Sequence, residues 1–166
     1  MAIESKKLAV VIPAFRAART IEALVASMPA YVDWIIIVND ASPDNLMEVA
    51  GRIQDSRVIL LSHEKNQGVG GAMVTGFKKA LELGADLIAK LDADGQMDPR
   101  YLDRFARAAI LHGCDYVKAN RFGHLEALPS MPKRKPRWSR AVSTRFSAVM
   151  TSGLAFSTPT WAARTS

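Results

Sequence analysis

Little in this sequence can form a covalent cross-link or span a membrane. Cys114 is the only cysteine among 166 residues, so no intramolecular disulfide can form, and no Cys or His cluster has the spacing of a zinc site. A reducing compartment is therefore expected. The apolar run before Pro13 is too short for a signal peptide, and no stretch reaches the roughly 18 apolar residues of a membrane span. We expect a chain that is soluble in the cytoplasm or held peripherally on the cytoplasmic membrane face.

Neither the hydrophobic nor the charged fraction departs from ordinary globular usage. Hydrophobic residues make up 49% of the chain and charged residues 23%, which excludes a disordered, collagen-like or low-complexity protein. The length predicts one domain, or one domain and part of another, with enough interior to bury a hydrophobic core.

Acidic residues are absent from residues 131–166. That segment holds seven Lys and Arg, whereas residues 1–130 hold fifteen together with all sixteen Asp and Glu, a net charge of −1. Trp138 and Phe146 lie among the basic residues. A basic segment with aromatics is typical of a surface that contacts an anionic membrane, a nucleic acid or a phosphorylated ligand. A solvated basic face is the alternative.

Short β-branched runs alternate with stretches whose apolar residues recur at helical spacing. Five strands are predicted, at 8–12, 34–38, 57–61, 86–91 and 115–119. Four helices are predicted between them, at 20–28 with Thr20 as N-cap, at 43–54 with Ser42 as the capping residue, at 71–83, and from Asp98-Pro99 to about Gly113. Near-continuous apolar strands separated by amphipathic helices predict an α/β fold with a mainly parallel sheet and helices on both faces.

After Asn120 the pattern changes. Three prolines between Arg121 and Trp138 predict a surface excursion or linker, and a helix is predicted over residues 139–150. No element is predicted from Thr151 onward. The sequence therefore divides into a core over 1–122 and a basic segment over 123–166.

Polar residues follow several of the predicted strands, where the ligand crevice of a parallel sheet lies. Asp92 and Asp94 end the fourth strand, and a turn at Gly95 would direct both carboxylates toward one Mg²⁺ or Mn²⁺ on a diphosphate, with Gln96 as a further oxygen ligand. An Asp-rich turn that only caps the strand is the alternative.

A glycine-rich turn over residues 66–71 leads into the third helix, where free N–H groups would favour an anion. It fits neither a P-loop nor a dinucleotide fingerprint, and a loop that needs positive φ is the alternative. Asp40, after the second strand, is a candidate hydrogen-bond acceptor for a base or sugar, or a turn former. His63 has no triad partner nearby in sequence and is interpreted as a polar loop residue, and Cys114 as structural.

Taken in order, four segments resemble glycosyltransferase family 2 of the GT-A fold, and within it the branch of polyprenyl-phosphate (dolichyl-phosphate) mannose or glucose synthases. They are VIPAF (11–15), VNDASPD (38–44), NQGVGGAMVTGFKKAL (66–81) and LDADGQMDP (91–99), within a resemblance over about residues 7–122. The resemblance implies a GT-A (Rossmann-like) sheet and transfer of a sugar from a GDP- or UDP-sugar, with Mn²⁺ or Mg²⁺, to a polyprenyl phosphate at a membrane surface. No nucleic-acid partner is expected.

The same resemblance implies roles for individual residues. Pro13, Phe15, Asn66 and Gly68 would form the nucleotide pocket, and Asp40 would bind the base or ribose. Asp92 would contact the ribose or the metal, Asp94 would be the principal metal ligand and Gln96 a further one, and Arg121 would lie near phosphates.

Family members continue through an Asp-x-Thr-Asn-Gly-like segment and more sheet, whereas residues 156–164 here lack both the Asp and the Asn-Gly. The resemblance therefore implies a fold that is incomplete at the C-terminus, truncated within the acceptor half. Two alternatives follow: a non-catalytic remnant that binds nucleotide sugars, and a flavodoxin-like cation-binding signalling module. The second would need an Asp on the third strand, which ends in Leu60, Leu61 and Ser62.

Overall fold

The computed structural model describes residues 5–118 and 148–151, in which strands and helices alternate along the chain. The strands are β1 (Leu8–Ala14), β2 (Trp34–Asn39), β3 (Val58–Ser62), β4 (Leu87–Lys90), β5 (Tyr116–Lys118) and β6 (Ala148–Thr151). The helices are α1 (Ile21–Ala26), α2 (Leu46–Gly51), α3 (Gly68–Glu82) and α4 (Leu102–His112), the last preceded by a 3₁₀ turn, Pro99–Tyr101.

The strands form one sheet in the order β3-β2-β1-β4-β6-β5. β1 pairs in parallel with both β2 and β4, and β2 pairs in parallel with β3. β6 lies antiparallel between β4 and β5. The predicted mainly parallel sheet is confirmed, and its order differs from the 2-1-3-4-5 order of receiver-type signalling modules. The signalling-module alternative is therefore excluded.

The sheet buries an apolar layer on each face, as expected for parallel strands that read as continuous hydrophobic runs. Leu8, Val10 and Ile12 of β1 pack in a cluster with residues of α1, α2 and α4. Ala9 and Val11 point to the opposite face and pack against α3. Helices therefore cover both faces, which confirms that prediction.

Helix α3 approaches the sheet closely because its inward stripe is made of small residues. Ala72, Gly76 and Ala80 are the buried positions of the helix. A methyl group built on Gly76 would lie 2.2 Å from Val11 Cγ1, a separation that two carbon atoms cannot adopt. Glycine at this position therefore allows α3 to pack closely against β1.

The structure differs in detail from what the sequence predicts around several elements. The hydroxyl of Ser42 does not cap α2, because it donates to Asp44 Oδ1 at 2.5 Å while α2 begins at Leu46. Thr20 stands at the N-cap of α1, but its side chain caps nothing. The predicted helix over 139–150 fails at its end, where β6 forms, and its first nine residues lie outside the described ones. β6 also places residues beyond the predicted boundary at 122 in the core sheet.

Candidate functional site

An open cleft of about 530 Å³ lies at the carboxyl ends of β1, β2 and β4. The strand order reverses between β1 and β4, and such a switch point is where open α/β sheets bind ligands. The residues that line the cleft come from the strand ends and from the start of α3: Pro13, Ala14, Phe15, Arg16, Ala17, Thr20, Asp40, Val69, Ala72, Lys90, Asp92, Ala93 and Asp94. Five of the predicted site residues are therefore brought together here.

Asp40 is buried at the end of β2, with 3% of its surface exposed. Its Oδ1 accepts hydrogen bonds from the His63 ring and from the backbone N–H of Gln67, each at 2.8 Å. Burial alone would raise the pKa of Asp40, but these bonds and one from the N–H of Gly68 outweigh it, so the pKa lies below its usual value. Asp40 is thus held as a carboxylate, which only accepts hydrogen bonds.

The glycine-rich turn is hydrogen-bonded to the backbone of Asp40. Asn66 Nδ2 donates to the carbonyl oxygen of Asp40 at 3.1 Å, and Asn66 Oδ1 accepts from the N–H of Gly68 at 3.0 Å. Neither Asn66 nor Gly68 lines the cleft, whereas Val69 does. The turn therefore acts on the cleft by fixing the loop that follows β2.

A second network joins the loops after β1 and β2. The Ser42 hydroxyl accepts the N–H of Arg16 at 2.7 Å, and Asp44 Oδ2 accepts the N–H of Ala18 at 3.0 Å. Burial would raise the pKa of Asp44, but bonds from the Ser42 hydroxyl and the N–H of Ala18 lower it further than burial raises it. Arg16 and Ala41 both take positive φ angles, 54° and 52°. The network holds these two uncommon backbone conformations at the cleft.

The acidic turn after β4 forms the opposite wall. Asp92 and Asp94 both line the cleft, because the chain reverses at Gly95, whose φ of 70° is the left-handed conformation that glycine adopts freely. Asp94 Oδ1 accepts the N–H of Gln96 at 3.0 Å. The carbonyl of Ala93 accepts the hydroxyl of Thr20 at 2.5 Å, which ties the turn to the start of α1.

Lys90 is a basic group inside this acidic wall. Its Nζ lies 2.8 Å from Asp92 Oδ1, and the two side chains are 13% and 19% exposed. Sequence reasoning did not single out Lys90. The available signal was the spacing of Lys90, the last residue of β4, and Asp92 just after it, because residues two apart share a face where the chain is extended.

The acidic wall supplies part of the ligand set of a cation. Among residues 5–118 and 148–151, no three His, Cys, Asp or Glu side chains are grouped so that they would hold a metal by themselves. Mg²⁺ is usually bound by one or two carboxylates together with substrate phosphates. Asp92 and Asp94 supply that number, so the donor set fits a divalent cation shared with a diphosphate.

The other predicted site residues lie in three different settings. Pro13 and Phe15 line the cleft, and the Arg16 guanidinium lies over the Phe15 ring at 5.4 Å from its centroid. Gln96 lines a neighbouring cleft instead, together with Arg19 and Arg100. Arg121 lies outside the described residues, as does most of the basic segment.

His63 lies in the loop just beyond β3, as the sequence predicts, but its side chain is buried. Only 7% of its side chain is exposed, and both ring nitrogens are bonded, Nδ1 to Asp40 and Nε2 to Thr75 Oγ1 at 2.8 Å. The partners lie 23 and 12 residues away in sequence, so no local pattern could show them. The sheet brings them together because β2 and β3 are neighbours.

The fold and the cleft define an open α/β protein whose ligand crevice lies at the switch point of its sheet. The chain belongs to glycosyl transferase family 2, whose sequence profile matches residues 9–165. This confirms the family that the four segments indicate.

Curated relatives carry names of the expected branch. A UDP-N-acetylglucosamine–dolichyl-phosphate N-acetylglucosaminyltransferase of Methanococcus voltae is 33% identical over 145 residues, which cover 78% of this chain and 58% of the relative. An undecaprenyl-phosphate mannosyltransferase of Micrococcus luteus is 37% identical over 76 residues, which cover 45% of this chain and 31% of the relative. The chain thus spans less than two thirds of the length of either relative.

Solved structures share the fold. The glucosyl-3-phosphoglycerate synthase of Mycobacterium tuberculosis, in complex with Mn²⁺, uridine diphosphate and phosphoglyceric acid, superposes with a TM-score of 0.61. The match is 20% identical and covers 90% of this chain and 57% of that one. The GT-A fold is therefore confirmed. None of the helices in the described ranges is long and apolar enough to cross a membrane.

Proposed function

We propose that this chain binds a nucleotide-diphosphate sugar and a divalent cation, Mn²⁺ or Mg²⁺, and transfers the sugar to a polyprenyl phosphate at a membrane surface. The observation that supports this most directly is the convergence of Asp40, Asp92 and Asp94 on one cleft at the switch point of a family 2 sheet. The names of the relatives support the polyprenyl phosphate acceptor.

The two walls of the cleft would hold different parts of the donor. Asp40, as an acceptor-only carboxylate, suits the N–H or hydroxyl groups of a base or ribose, with Pro13 and Phe15 beside it. Asp92 and Asp94 suit the cation on the diphosphate. A GDP- or a UDP-sugar meets these requirements equally, because both carry a ribose and a base with N–H donors.

The cation, when bound, supplies positive charge that stabilises the departing nucleotide diphosphate. An acceptor phosphate already carries an anionic oxygen, so no strong general base is required, and positioning provides much of the rate enhancement. Cationic side chains are needed instead to bring two anionic substrates together. We propose that Arg121 and the basic residues of 131–166 meet that need, and that the protein acts at the cytoplasmic membrane face.

The test is thermal unfolding with GDP, UDP and their sugar conjugates, each with and without MnCl₂, because a ligand that binds only the native state raises Tm. A metal-dependent rise for one base is expected, and its loss in Asp94→Ala. No rise with any of these nucleotides would contradict the proposal.

A second candidate function is nucleotide-sugar binding without transfer. It is favoured by the sequence between residues 156 and 164, which lacks the acidic segment expected in the acceptor half. Incubation with radiolabelled UDP- or GDP-sugars and a polyprenyl phosphate separates the two functions. Labelled lipid product would eliminate this second candidate, and donor binding with no product would favour it.

A further inference from the structure

His63 is a buried polar side chain that the proposed chemistry does not use. It lies just beyond β3, beneath the cleft, and is bonded to Asp40 on one side and to Thr75 of α3 on the other. In an imidazole, the hydrogen bond made by one ring nitrogen determines which of the two nitrogens carries the proton.

The direction of each hydrogen bond follows from the partners. A carboxylate only accepts, so Nδ1 of His63 carries the proton that is donated to Asp40 Oδ1. In a neutral ring Nε2 is then an acceptor, and the hydroxyl of Thr75 donates to it. A chain of two bonds therefore runs from the interior of α3 to the carboxylate at the cleft.

The backbone does not need this side chain. The N–H of His63 is already bonded to the carbonyl of Asn39 at 2.9 Å, which fixes the course of the chain beyond β3. The carboxylate of Asp40, in contrast, turns about a broad two-fold torsion unless its oxygens are held. His63 and the N–H of Gln67 converge on Oδ1 and so determine the plane of the carboxylate.

We propose that His63 is a positioning residue: supported by Thr75, it fixes the Asp40 carboxylate in the orientation that receives the nucleoside of the donor. This inference rests on the proposed function, because it assumes that a nucleotide occupies the cleft beside Asp40. It adds a residue that acts through Asp40 and does not itself line the cleft.

Substitution of His63 by asparagine or by glutamine tests the roles of its two ring nitrogens separately. The side-chain nitrogen of asparagine can stand where Nδ1 stands, and that of glutamine where Nε2 stands. His63→Asn should therefore keep the bond to Asp40 and bind UDP or GDP with Mn²⁺ within about threefold of wild type. His63→Gln and His63→Ala should lose that bond and raise the Kd by about tenfold or more. Calorimetric titration measures each Kd.

A purely structural role makes a different prediction. If His63 only stabilised the fold, the loss of nucleotide affinity in each variant would follow its fall in Tm without ligand. The binding of Mn²⁺-pyrophosphate would then weaken as much as that of the nucleotide. Positioning predicts that Mn²⁺-pyrophosphate, which has no nucleoside, binds His63→Gln as it binds wild type. His112→Ala, which removes an exposed histidine of α4, is the matched control and should change neither.

A double-mutant cycle identifies the route of the effect. If His63 acts through Asp40, His63→Ala costs no further affinity in an Asp40→Ala background, whereas independent roles give additive losses. Thr75→Val, a smaller change, gives the same reading if His63→Ala fails to fold, with a Kd rise of about threefold.

The outcomes distinguish this inference from the proposed function. If wild-type protein binds neither UDP nor GDP, the proposed function fails and the inference fails with it. If wild type binds one of them and His63→Gln binds it equally well, or if the losses are additive, only the inference is overturned.

Discussion

The two walls of the cleft are built in different ways. On the Asp40 wall, polar groups are buried and hydrogen-bonded to groups far away in sequence, such as His63 and Gln67. On the acidic wall, the Asp94 carboxylate is exposed, and its hydrogen-bond donor, the N–H of Gln96, lies two residues further along the chain. The Asp40 carboxylate is thus held in place by other groups of the protein, whereas the Asp94 carboxylate faces solvent.

The difference reflects what each wall is proposed to bind. A base or ribose presents fixed donors, so a preorganised acceptor avoids the entropic cost of ordering on binding. A cation arrives with a diphosphate that supplies further oxygens, so an incomplete set of carboxylates suffices. Substitutions on the two walls should therefore separate ligand affinity from the stability of the unliganded protein.

The largest effect is expected from Asp94→Ala. Because Asp94 is exposed and makes one local bond, its loss should leave the Tm of the unliganded protein within about 1 °C, as is usual for surface substitutions. The Kd for nucleotide diphosphate with Mn²⁺ should rise by about 100-fold. Calorimetry and thermal unfolding of the same sample check both parts. A large fall in the unliganded Tm would contradict the contrast between the walls.

Asp40→Asn should lower both the stability of the unliganded protein and its affinity for nucleotide. The amide is a weaker acceptor for His63 and Gln67, so the free energy of unfolding should fall by about 1–2 kcal/mol. The Kd for nucleotide should rise by about tenfold, by the same loss of a charged acceptor. Urea unfolding without ligand measures the first change and titration the second. Unchanged stability would show that this wall is not preorganised.

Lys90→Met sharpens the comparison within the acidic wall. Lys90 and a cation compete for Asp92, so removal of the ammonium should tighten the binding of Mn²⁺ alone by about fivefold. Methionine keeps most of the length of the side chain. Titration with MnCl₂ in the absence of nucleotide, followed by the paramagnetic resonance of free Mn²⁺, measures this. Weaker binding would show that Lys90 orders Asp92 for the metal.

The smallest effect concerns acid stability. The pKa values of Asp40 and Asp44 are lowered in the folded protein, so the unfolded chain takes up protons first, near its ordinary pKa of about 3.9. Their stabilisation is complete above that pH and is lost as the pH falls through the lower folded values. Urea unfolding between pH 6 and 3, chosen to span about one to two units either side of that pKa, should show a shallower decline in Asp40→Asn and Asp44→Asn than in wild type. An equal slope would contradict this assignment.

Much of the fold was predictable because each buried parallel strand is a continuous apolar run that can be recognised from its own residues. The runs that became β1 and β2 are continuous and apolar, and Asp98-Pro99 begins the turn into α4 as expected, with Asp98 Oδ1 accepting the N–H of Arg100. β6 was missed because four residues with mixed spacing carry little periodicity. Its place between β4 and β5 depends on which strand edges remain unpaired in the assembled sheet, and the sequence of a single segment does not contain that information.

The candidate site divides in the same way. Asp40, Asp92 and Asp94 were identified because strand ends predict where the cleft lies. The burial of His63 and the ion pair of Lys90 were missed, because each depends on a neighbour that only the assembled sheet supplies. For Ser42, the sequence predicts a role that the structure does not show. Its position fits a helix cap, but its hydroxyl donates to the Asp44 carboxylate and accepts the N–H of Arg16.

The antiparallel strand β6 has a consequence for how the molecule assembles during synthesis. β4, which carries the acidic turn, is paired on one side by β1 and on the other by residues 148–151. The first three strands and β4 can therefore associate as they leave the ribosome, but one edge of β4 stays open until β6 has been translated. A ribosome stalled before that point would hold a nascent chain whose Asp40 wall is formed and whose exposed strand edge invites chaperones or a neighbouring chain.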